Sequence, residues 1–164
     1  DDEFIVHAQA FLPEWLGSRS GHIKQILPLL RDKISVLGEI EALFDTGGEL
    51  EFVAKLPDYA SDLILWKKNP ILQNRAKPDK NASKNHLNEC RNLLEKIRFE
   101  NFSVVTVKDA VWAYAEAKGR GDVLWPLRVA LTGQAKSPDP FVSAAILGKD
   151  ESLSRIDSAI KKCS

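Results

Sequence analysis

Apolar residues recur along this chain at the three- and four-residue spacing of amphipathic helices. The first stripe follows two aspartates and stops at Pro13; its members are Phe4, Ile5, Ala8, Phe11 and Leu12. A second stripe crosses residues 20–44, where Pro28 must either kink a helix or open the first turn of a new one. The pattern therefore predicts one helix before Pro13, and two helices or one bent helix over 20–44.

The middle of the chain carries further helix signals. We predict a short helix over residues 57–68, and a longer one that Ser83 caps and in which Cys90 lies in the core. Thr106–Asp109 resembles a capping box for the next helix, which Gly119 ends. Residues 103–105 are the one stretch that we expect to be extended.

Proline and glycine mark the helices of the carboxy-terminal part. Pro126 suits the first position of a helix that ends at Gly133, Ser137-Pro138 opens the next one, and Gly148 ends it. The last helix carries an apolar stripe of Leu153, Ile156 and Ile160. The whole pattern predicts an all-α fold of seven to nine helices.

Charge divides the chain unevenly. Residues 1–66 hold 12 acidic and 5 basic side chains, residues 67–98 hold 3 and 9, and residues 99–164 hold 8 and 9. A basic middle can attract a polyanion, although a solvated basic face is the commoner explanation. Turn residues within it predict a loop or hinge at 74–85, between a helical subdomain at 1–73 and another at 86–164.

Composition excludes several classes of protein. With 164 residues and 44% hydrophobic residues the chain can fold, and its apolar runs are too short to span a bilayer. No secretory leader pattern and only two cysteines favour a reducing cytoplasm. Because the chain contains no Met, we expect it to be a fragment of a larger protein. We expect the fragment to fold alone as a monomer, because its apolar stripes are continuous and it is long enough to close a core.

The sequence contains no recognisable catalytic site. His7, His22 and His86 lie on separate predicted elements, with no cysteine or carboxylate at ligand spacing. No glycine-rich phosphate motif is present. The four tryptophans could stack on bases, but at helical spacing they are more often core residues. We therefore expect no metal and no cofactor in this chain.

Three ordered motifs point to one family. Residues 121–133 read GDVLWPLRVALTG, and SPDPF at 137–141 and LGK at 147–149 follow. This series resembles the C-terminal anticodon-binding domain of bacterial-type glutamyl-tRNA synthetases. Weaker similarity extends through Thr106, YASDLILWK at 59–67 and the region 31–44, so it covers most of the chain except 74–85. The HIGH-type and KMSKS-type ATP motifs of the family are absent.

The resemblance implies a helical-cage domain that grips the anticodon loop of tRNA-Glu. In the full-length enzyme, a cytoplasmic glutamate–tRNA ligase, another part joins glutamate to tRNA with ATP and Mg²⁺. The fragment alone should be inactive. Whether tRNA-Gln is also a substrate stays open. Two other classes also stay open: a helical protein-interaction module derived from a synthetase, and a small helical enzyme.

The resemblance also implies which residues contact the first two anticodon letters. They are Arg128 in PLRVALTG, and Ser137, Pro138 and Pro140 in SPDPF. The planar fork of the Arg128 guanidinium suits the acceptors of cytosine. Alternatively, Arg128 lies in the first turn of a helix and forms an ion pair with a nearby carboxylate. Ser137 can equally be the N-cap of the next helix.

The last anticodon letter is C in tRNA-Glu and G in tRNA-Gln. The resemblance places its reader on the helix near residues 31–37, at Lys33, or at Arg31 if the register slips by two. Lysine is a point donor, so it can serve acceptors of C and also of G. We expect Lys33 to discriminate less sharply than arginine would, and a solvated lysine is the alternative.

Overall fold

A computed structural model describes residues 2–17, 20–65 and 79–164; the side chains of 2, 5, 15, 17 and 20–24 are also outside this description. The helices are α1 (Asp2–Gln9), α2 (Glu14–Gly17), α3 (Ser20–Lys33), α4 (Ile40–Phe44), α5 (Glu51–Ala54), α6 (Lys80–Glu95), α7 (Val104–Lys118), α8 (Arg120–Thr132), α9 (Pro140–Leu147) and α10 (Lys149–Lys162). Short 3-10 turns occur at Leu37–Glu39, Ser61–Ile64 and Phe99–Asn101. None of these described residues forms a strand, which confirms the all-α fold class.

The chain divides into two compact units, Asp1–Lys55 and Leu56–Ser164. The first unit contains α1 to α5. Its largest fully buried side chains come from α2 to α5 and the segments between them; they are Leu16, Ile26, Leu30, Ile40, Leu50 and Phe52. The spacing of Ile26 and Leu30 within α3 places both on one helix face, so the amphipathic pattern of this region forms a core.

The second unit is built around α8, which packs against α6, α7, α9 and α10. Its core side chains include Leu87, Leu94, Val111, Val123, Leu127, Leu131, Ile146 and Ile156. Cys90 is also fully buried, which confirms that it is a core residue. Burial raises the pKa of the Cys90 thiol to about 12, so the thiol stays protonated.

The observed division lies earlier than the boundary predicted at 74–85. Residues 56–65 belong to the second unit, where the indole Nε1 of Trp125 donates to the carbonyl of Leu63 at 2.8 Å. Residues 66–78 are outside the described residues, and they include the part 74–78 of the predicted hinge and the end of the helix predicted over 57–68. The rest of the predicted hinge is described, and its residues 80–85 belong to α6. Within 57–65 the backbone forms only the 3-10 turn Ser61–Ile64, so the helix prediction is wrong there.

Two helices begin earlier than predicted. Asp79, not Ser83, caps α6: its carboxylate accepts from the Asn81 N–H at 2.9 Å, while Ser83 is buried inside the helix. Ser103 caps α7, and Thr106 is the third helical residue of a capping box rather than its start. Residues 104–105 are helical for the same reason, so the prediction of an extended segment at 103–105 holds only for Ser103 and is wrong for the other two residues.

The glycine stops are confirmed, but the proline starts are not. Gly119, Gly133 and Gly148 each follow a helix and have positive φ angles, as predicted. Pro126, however, lies inside α8, because the helix already begins at Arg120. Pro28 likewise lies inside α3, which continues to Lys33. The 20–44 region forms two helices, α3 and α4, which confirms the first of the two predicted alternatives.

Candidate functional site

The half-buried positions of α8 mark the face of this helix that a ligand can reach. They include Leu124, Trp125 and Arg128, whereas Leu127 and the run 129–132 are buried. Trp125 is held by its hydrogen bond to the Leu63 carbonyl, and Arg128 lies almost one turn further along the helix. The core therefore presents Arg128 from a rigid, well-packed element.

Arg128 differs from other arginines of the second unit in its contacts. Arg91, Arg98, Arg120 and Arg155 each form an ion pair with a carboxylate. The Arg128 guanidinium forms no ion pair, hydrogen bond or ring contact within the described part of the chain. Arg128 also lies in the third turn of α8 rather than the first, so the alternative of a first-turn arginine paired with a carboxylate is not observed. Its fork of donors is available to a ligand.

Thr132 connects two of the predicted site residues, and sequence reasoning assigned it no role. It is fully buried, and its hydroxyl lies 2.8 Å from the Arg128 carbonyl and 3.4 Å from Ser137 Oγ. A hydroxyl has one proton, so we assign its donation to the shorter contact. The Gln134 N–H donates to the same oxygen at 3.2 Å. Thr132 thus ties the end of α8 to the turn that follows.

Arg155 fixes the same end of α8 from α10. It is buried, its Nη1 donates to the Leu131 carbonyl at 2.8 Å, and its Nε binds Glu151 at 2.7 Å. The carbonyls of a last helical turn lack helical partners, and a buried guanidinium satisfies one of them. The LGK motif acts similarly at α6, because Lys149 Nζ donates to the carbonyls of Glu95 and Ile97.

The SPDPF residues are mostly buried. Ser137, Pro138 and Pro140 have little accessible surface, and Ser137 Oγ donates to the Pro138 carbonyl at 3.0 Å. Asp139 caps α9 by accepting from the N–H groups of Phe141 and Val142 at 2.9 and 3.0 Å. The prediction that Ser137-Pro138 opens this helix is therefore wrong: Pro140 is its first residue.

The exposed part of this turn is one that the sequence did not single out. Ala135 and Lys136 are exposed, and Asp139 is exposed beside the buried prolines. Lys136 forms no ion pair within the ranges that the structure describes. The buried hydroxyl and prolines therefore shape the turn, while its exposed residues are Ala135, Lys136 and Asp139.

Lys33 belongs to the first unit, where it is already paired. It is the last residue of α3, and its Nζ donates to Glu49 Oε2 at 2.7 Å. The two side chains are 24% and 19% exposed, so water screens this pair only in part. Arg31 lies two residues earlier and is exposed. An ammonium has three donors, so Glu49 orients Lys33 without using all of them.

Several described residues of the basic middle segment, 67–98, bind other groups of the protein itself. Lys84 donates to Ser164, and Arg91 binds Asp157 at 2.6 Å. That hydrogen bond raises the pKa of Arg91. The segment's other basic residues include Lys67, Lys68, Arg75 and Lys77, which lie outside the described residues. Of the four tryptophans, Trp66 and the side chain of Trp15 also lie outside the described part of the structure.

Among the described residues, no group of three or more histidines, cysteines and carboxylates could hold a metal ion. His86 instead contacts the Tyr114 hydroxyl through Nδ1 at 2.8 Å. Burial lowers the pKa of His86, while Asp122 raises it and Lys118 lowers it. His86 therefore joins α6 to α7. None of the described helices is both long and apolar enough to cross a bilayer.

The family whose description is "Anticodon binding domain" matches residues 3–160. The chain belongs to this family. It is 29% identical over 164 residues to a glutamate–tRNA ligase of Clostridium acetobutylicum, covering 98% of this chain and 31% of the relative. A glutamate–tRNA ligase of Clostridium kluyveri is 32% identical over 170 residues, with 98% and 30% covered. The chain thus spans about a third of the length of these curated relatives.

Solved structures agree on the fold. A glutamate tRNA ligase from Elizabethkingia meningosepticum, in complex with its amino acid, has a TM-score of 0.63 at 23% identity. The alignment covers 96% of this chain and 30% of that one. Glutamate-tRNA synthetase from Elizabethkingia anophelis has a TM-score of 0.59 at 24% identity, with 94% and 28% covered. This anticodon-binding domain therefore shares its helical fold with part of each of these chains.

Proposed function

We propose that this domain binds the anticodon loop of tRNA-Glu as one part of a glutamate–tRNA ligase. The observation that supports it best is the half-buried Arg128, whose guanidinium has no protein partner among the described residues. Because no described protein group occupies these donors, a ligand with acceptors can bind them without displacing an ion pair. A cytosine edge offers such acceptors in a splayed-out loop.

In this proposal Arg128 reads the first two letters together with the turn 134–140. Ser137, Pro138 and Pro140 act by shaping that turn, because their side chains are buried and Ser137 Oγ is bonded within the protein. The exposed Lys136 then lies beside the bases. Thr132 is a positioning residue that keeps the turn in register with Arg128.

We further propose that Lys33 contacts the last letter, with Arg31 as the alternative reader. The ion pair with Glu49 holds the Lys33 ammonium at the end of α3, and the remaining N–H donors of the ammonium can bind the base. A lysine so placed favours C over G only modestly. Binding of tRNA-Gln therefore depends on this position.

Glutamate attachment, ATP and Mg²⁺ belong, in this proposal, to a part of the cytoplasmic enzyme that this chain does not include. The described carboxylates, histidines and cysteines form no group of three or more that could hold Mg²⁺. The curated relatives are named glutamate–tRNA ligases and are about three times longer than the matched region, which supports this division of labour.

The test is direct binding of tRNA-Glu and of its anticodon stem-loop by the 164-residue chain. Arg128→Ala should weaken binding by about 1 to 3 kcal/mol, the usual range for a bidentate base contact. Arg128→Lys should recover only part, because it restores the charge without the fork. Arg98→Ala is the matched control, since Arg98 is an exposed arginine of the same unit. Unchanged binding by folded Arg128→Ala would remove Arg128 from the site.

Lys33→Ala tests the last-letter reader. Stem-loops that differ only in C or G at that letter should be bound with a smaller difference by this variant. If the preference for C survives, Arg31→Ala becomes the decisive variant. A derived protein-interaction module would show no preference among these RNAs.

A further inference from the structure

Two cations lie on one tryptophan of α7. Lys108 and Trp112 are one turn apart on α7, and Arg120 is the first residue of α8. We call these three residues the Lys–Trp–Arg cluster. Lys108 Nζ is 5.1 Å from the centroid of the Trp112 ring, and Arg120 Cζ is 4.7 Å from it. Both distances are within the range of cation–π attraction, so the ring holds two positive charges close together.

The charged groups of the cluster keep unused donors. Arg120 Nη2 binds Glu116 Oε1 at 2.7 Å, but the guanidinium has four further N–H donors by its chemistry. Lys108 is exposed, and its ammonium has no ion pair or hydrogen bond among the residues described. Within the contacts of the cluster, Glu116 pairs with Arg120 and no described carboxylate pairs with Lys108.

The cluster adjoins the turn that the proposed function uses. Trp112 makes an edge contact with Phe141, with ring centroids 6.2 Å apart and an interplanar angle of 63°. Phe141 belongs to the first turn of α9, directly after the turn 134–140. Its N–H is bound by the cap residue Asp139. The cations are therefore fixed, through one aromatic contact, to the element that carries SPDPF.

We propose that the Lys–Trp–Arg cluster binds the sugar-phosphate backbone of the RNA whose loop bases Arg128 reads. This inference rests on the proposed function. Phosphate contacts from lysine and arginine position a protein on nucleic acid without reading sequence, and cations next to an aromatic ring are common on such surfaces. An acidic peptide would also bind cations, but the contact with the SPDPF turn favours the RNA.

Lys108→Gln and Arg120→Gln test the proposal in the 164-residue chain. The probes are the tRNA-Glu anticodon stem-loop and the same stem-loop with a scrambled anticodon. Each variant should weaken binding of both RNAs by the same factor. The ratio of affinities at 50 and 200 mM salt should fall by about threefold per variant, because one phosphate contact contributes about 0.7 to 0.9 to the salt slope.

The controls separate this contact from a structural role. Lys161→Gln removes an exposed lysine of α10 and should leave both affinities unchanged. Arg120→Lys keeps the charge and should restore most of the salt slope. An unchanged salt slope in Lys108→Gln and Arg120→Gln would overturn the proposal. A loss of RNA affinity that is fully explained by partial unfolding of the variant, measured by its unfolding temperature, would also overturn it.

The same assay distinguishes failure of the proposed function. If Arg128→Ala leaves the preference for the correct anticodon intact but Lys108→Gln lowers the salt slope, base reading by Arg128 fails and the backbone contact stands. If only Arg128→Ala has an effect, the backbone contact fails and base reading stands.

Discussion

Arg128 and Lys33 are both candidate base readers, but the protein treats them differently. Arg128 has no partner among the described residues, whereas Lys33 is bound to Glu49 at 2.7 Å. Arg128 can form charge-assisted hydrogen bonds to the RNA without giving up a protein contact. Lys33 must share its ammonium between the RNA and Glu49, or exchange one for the other. For this reason we expect Arg128 to contribute more binding energy than Lys33.

Glu49→Gln tests whether the ion pair positions Lys33. The change removes the carboxylate charge, so the Lys33 ammonium is held less firmly and the preference for C at the last letter should shrink. The free energy of unfolding should fall by up to about 1 kcal/mol, since the pair is near the surface. Stem-loop binding and urea unfolding measure the two effects.

Glu41→Gln is the matched control, because Glu41 is an exposed glutamate of the same unit. An unchanged C-over-G preference in both Glu49→Gln and Lys33→Ala would show that neither group takes part in reading this letter.

The residue types of the site were predictable, but their accessibility was not. Arg128 stands out in the sequence because its motif is long and ordered. The burial of Ser137 follows from Thr132 and the closed turn between them, and such a contact does not show in a residue pattern. Lys136 was missed for the opposite reason: exposed loop lysines are common, and only the buried neighbours make this one stand out.

At the level of elements, helix ends were harder to predict than helices. Each misplaced start has two candidate caps close together: Asp79 and Ser83, or Ser103 and Thr106. Local preference is similar for all of them. Packing decides, since Ser83 is buried within the helix that Asp79 opens. Asp139 similarly replaces Ser137 as the cap of α9.

Gly133 should tolerate no side chain. Its φ is +64°, and an added Cβ would lie 2.8 Å from the Pro57 carbonyl and 3.0 Å from Tyr59 Cδ1. We expect Gly133→Ala to lower the free energy of unfolding by more than the roughly 1 to 2 kcal/mol that a left-handed residue costs alone. Gly47→Ala is the control, because Gly47 has φ +85° with nothing within 4 Å. Equal losses in urea unfolding would contradict a steric role for the Pro57 contact.

His86 should make the packing of α6 on α7 depend on pH. Burial lowers the pKa of His86 below 6.5, so the folded state favours neutral imidazole. Its contribution to stability is complete above pH 6.5 and is lost as the pH falls through the lowered pKa of the folded state. His86→Asn should flatten the loss of stability between pH 6.5 and pH 5.

The measurement is urea unfolding across this range, with His7→Asn as the control because His7 is exposed on α1. A pH profile of His86→Asn that matches the parent chain would show that other groups cause the acid sensitivity.

At the scale of the molecule, the sequence predicted two helical subdomains, while the two compact units meet at Lys55 and Leu56. Turn chemistry drew attention to 74–85. The contacts that assign 56–65 to the second unit span long stretches of chain: Trp125 binds the Leu63 carbonyl, and Lys162 binds the Tyr59 carbonyl at 3.2 Å and lies 4.7 Å from its ring. Periodicity reports local structure only, so it could not reveal these pairings.

The two units lead to a prediction about the separate reading of letters. Arg128 lies in the unit Leu56–Ser164, and Lys33 and Arg31 lie in Asp1–Lys55. The larger unit has its own core around α8, so we expect residues 56–164 to unfold cooperatively when expressed alone. This shortened chain should still bind the tRNA-Glu stem-loop and lose affinity with Arg128→Ala. It should bind stem-loops with C or G at the last anticodon letter equally, because both candidate readers of that letter, Lys33 and Arg31, are gone. A retained preference for C would place the reader of the last letter in the larger unit.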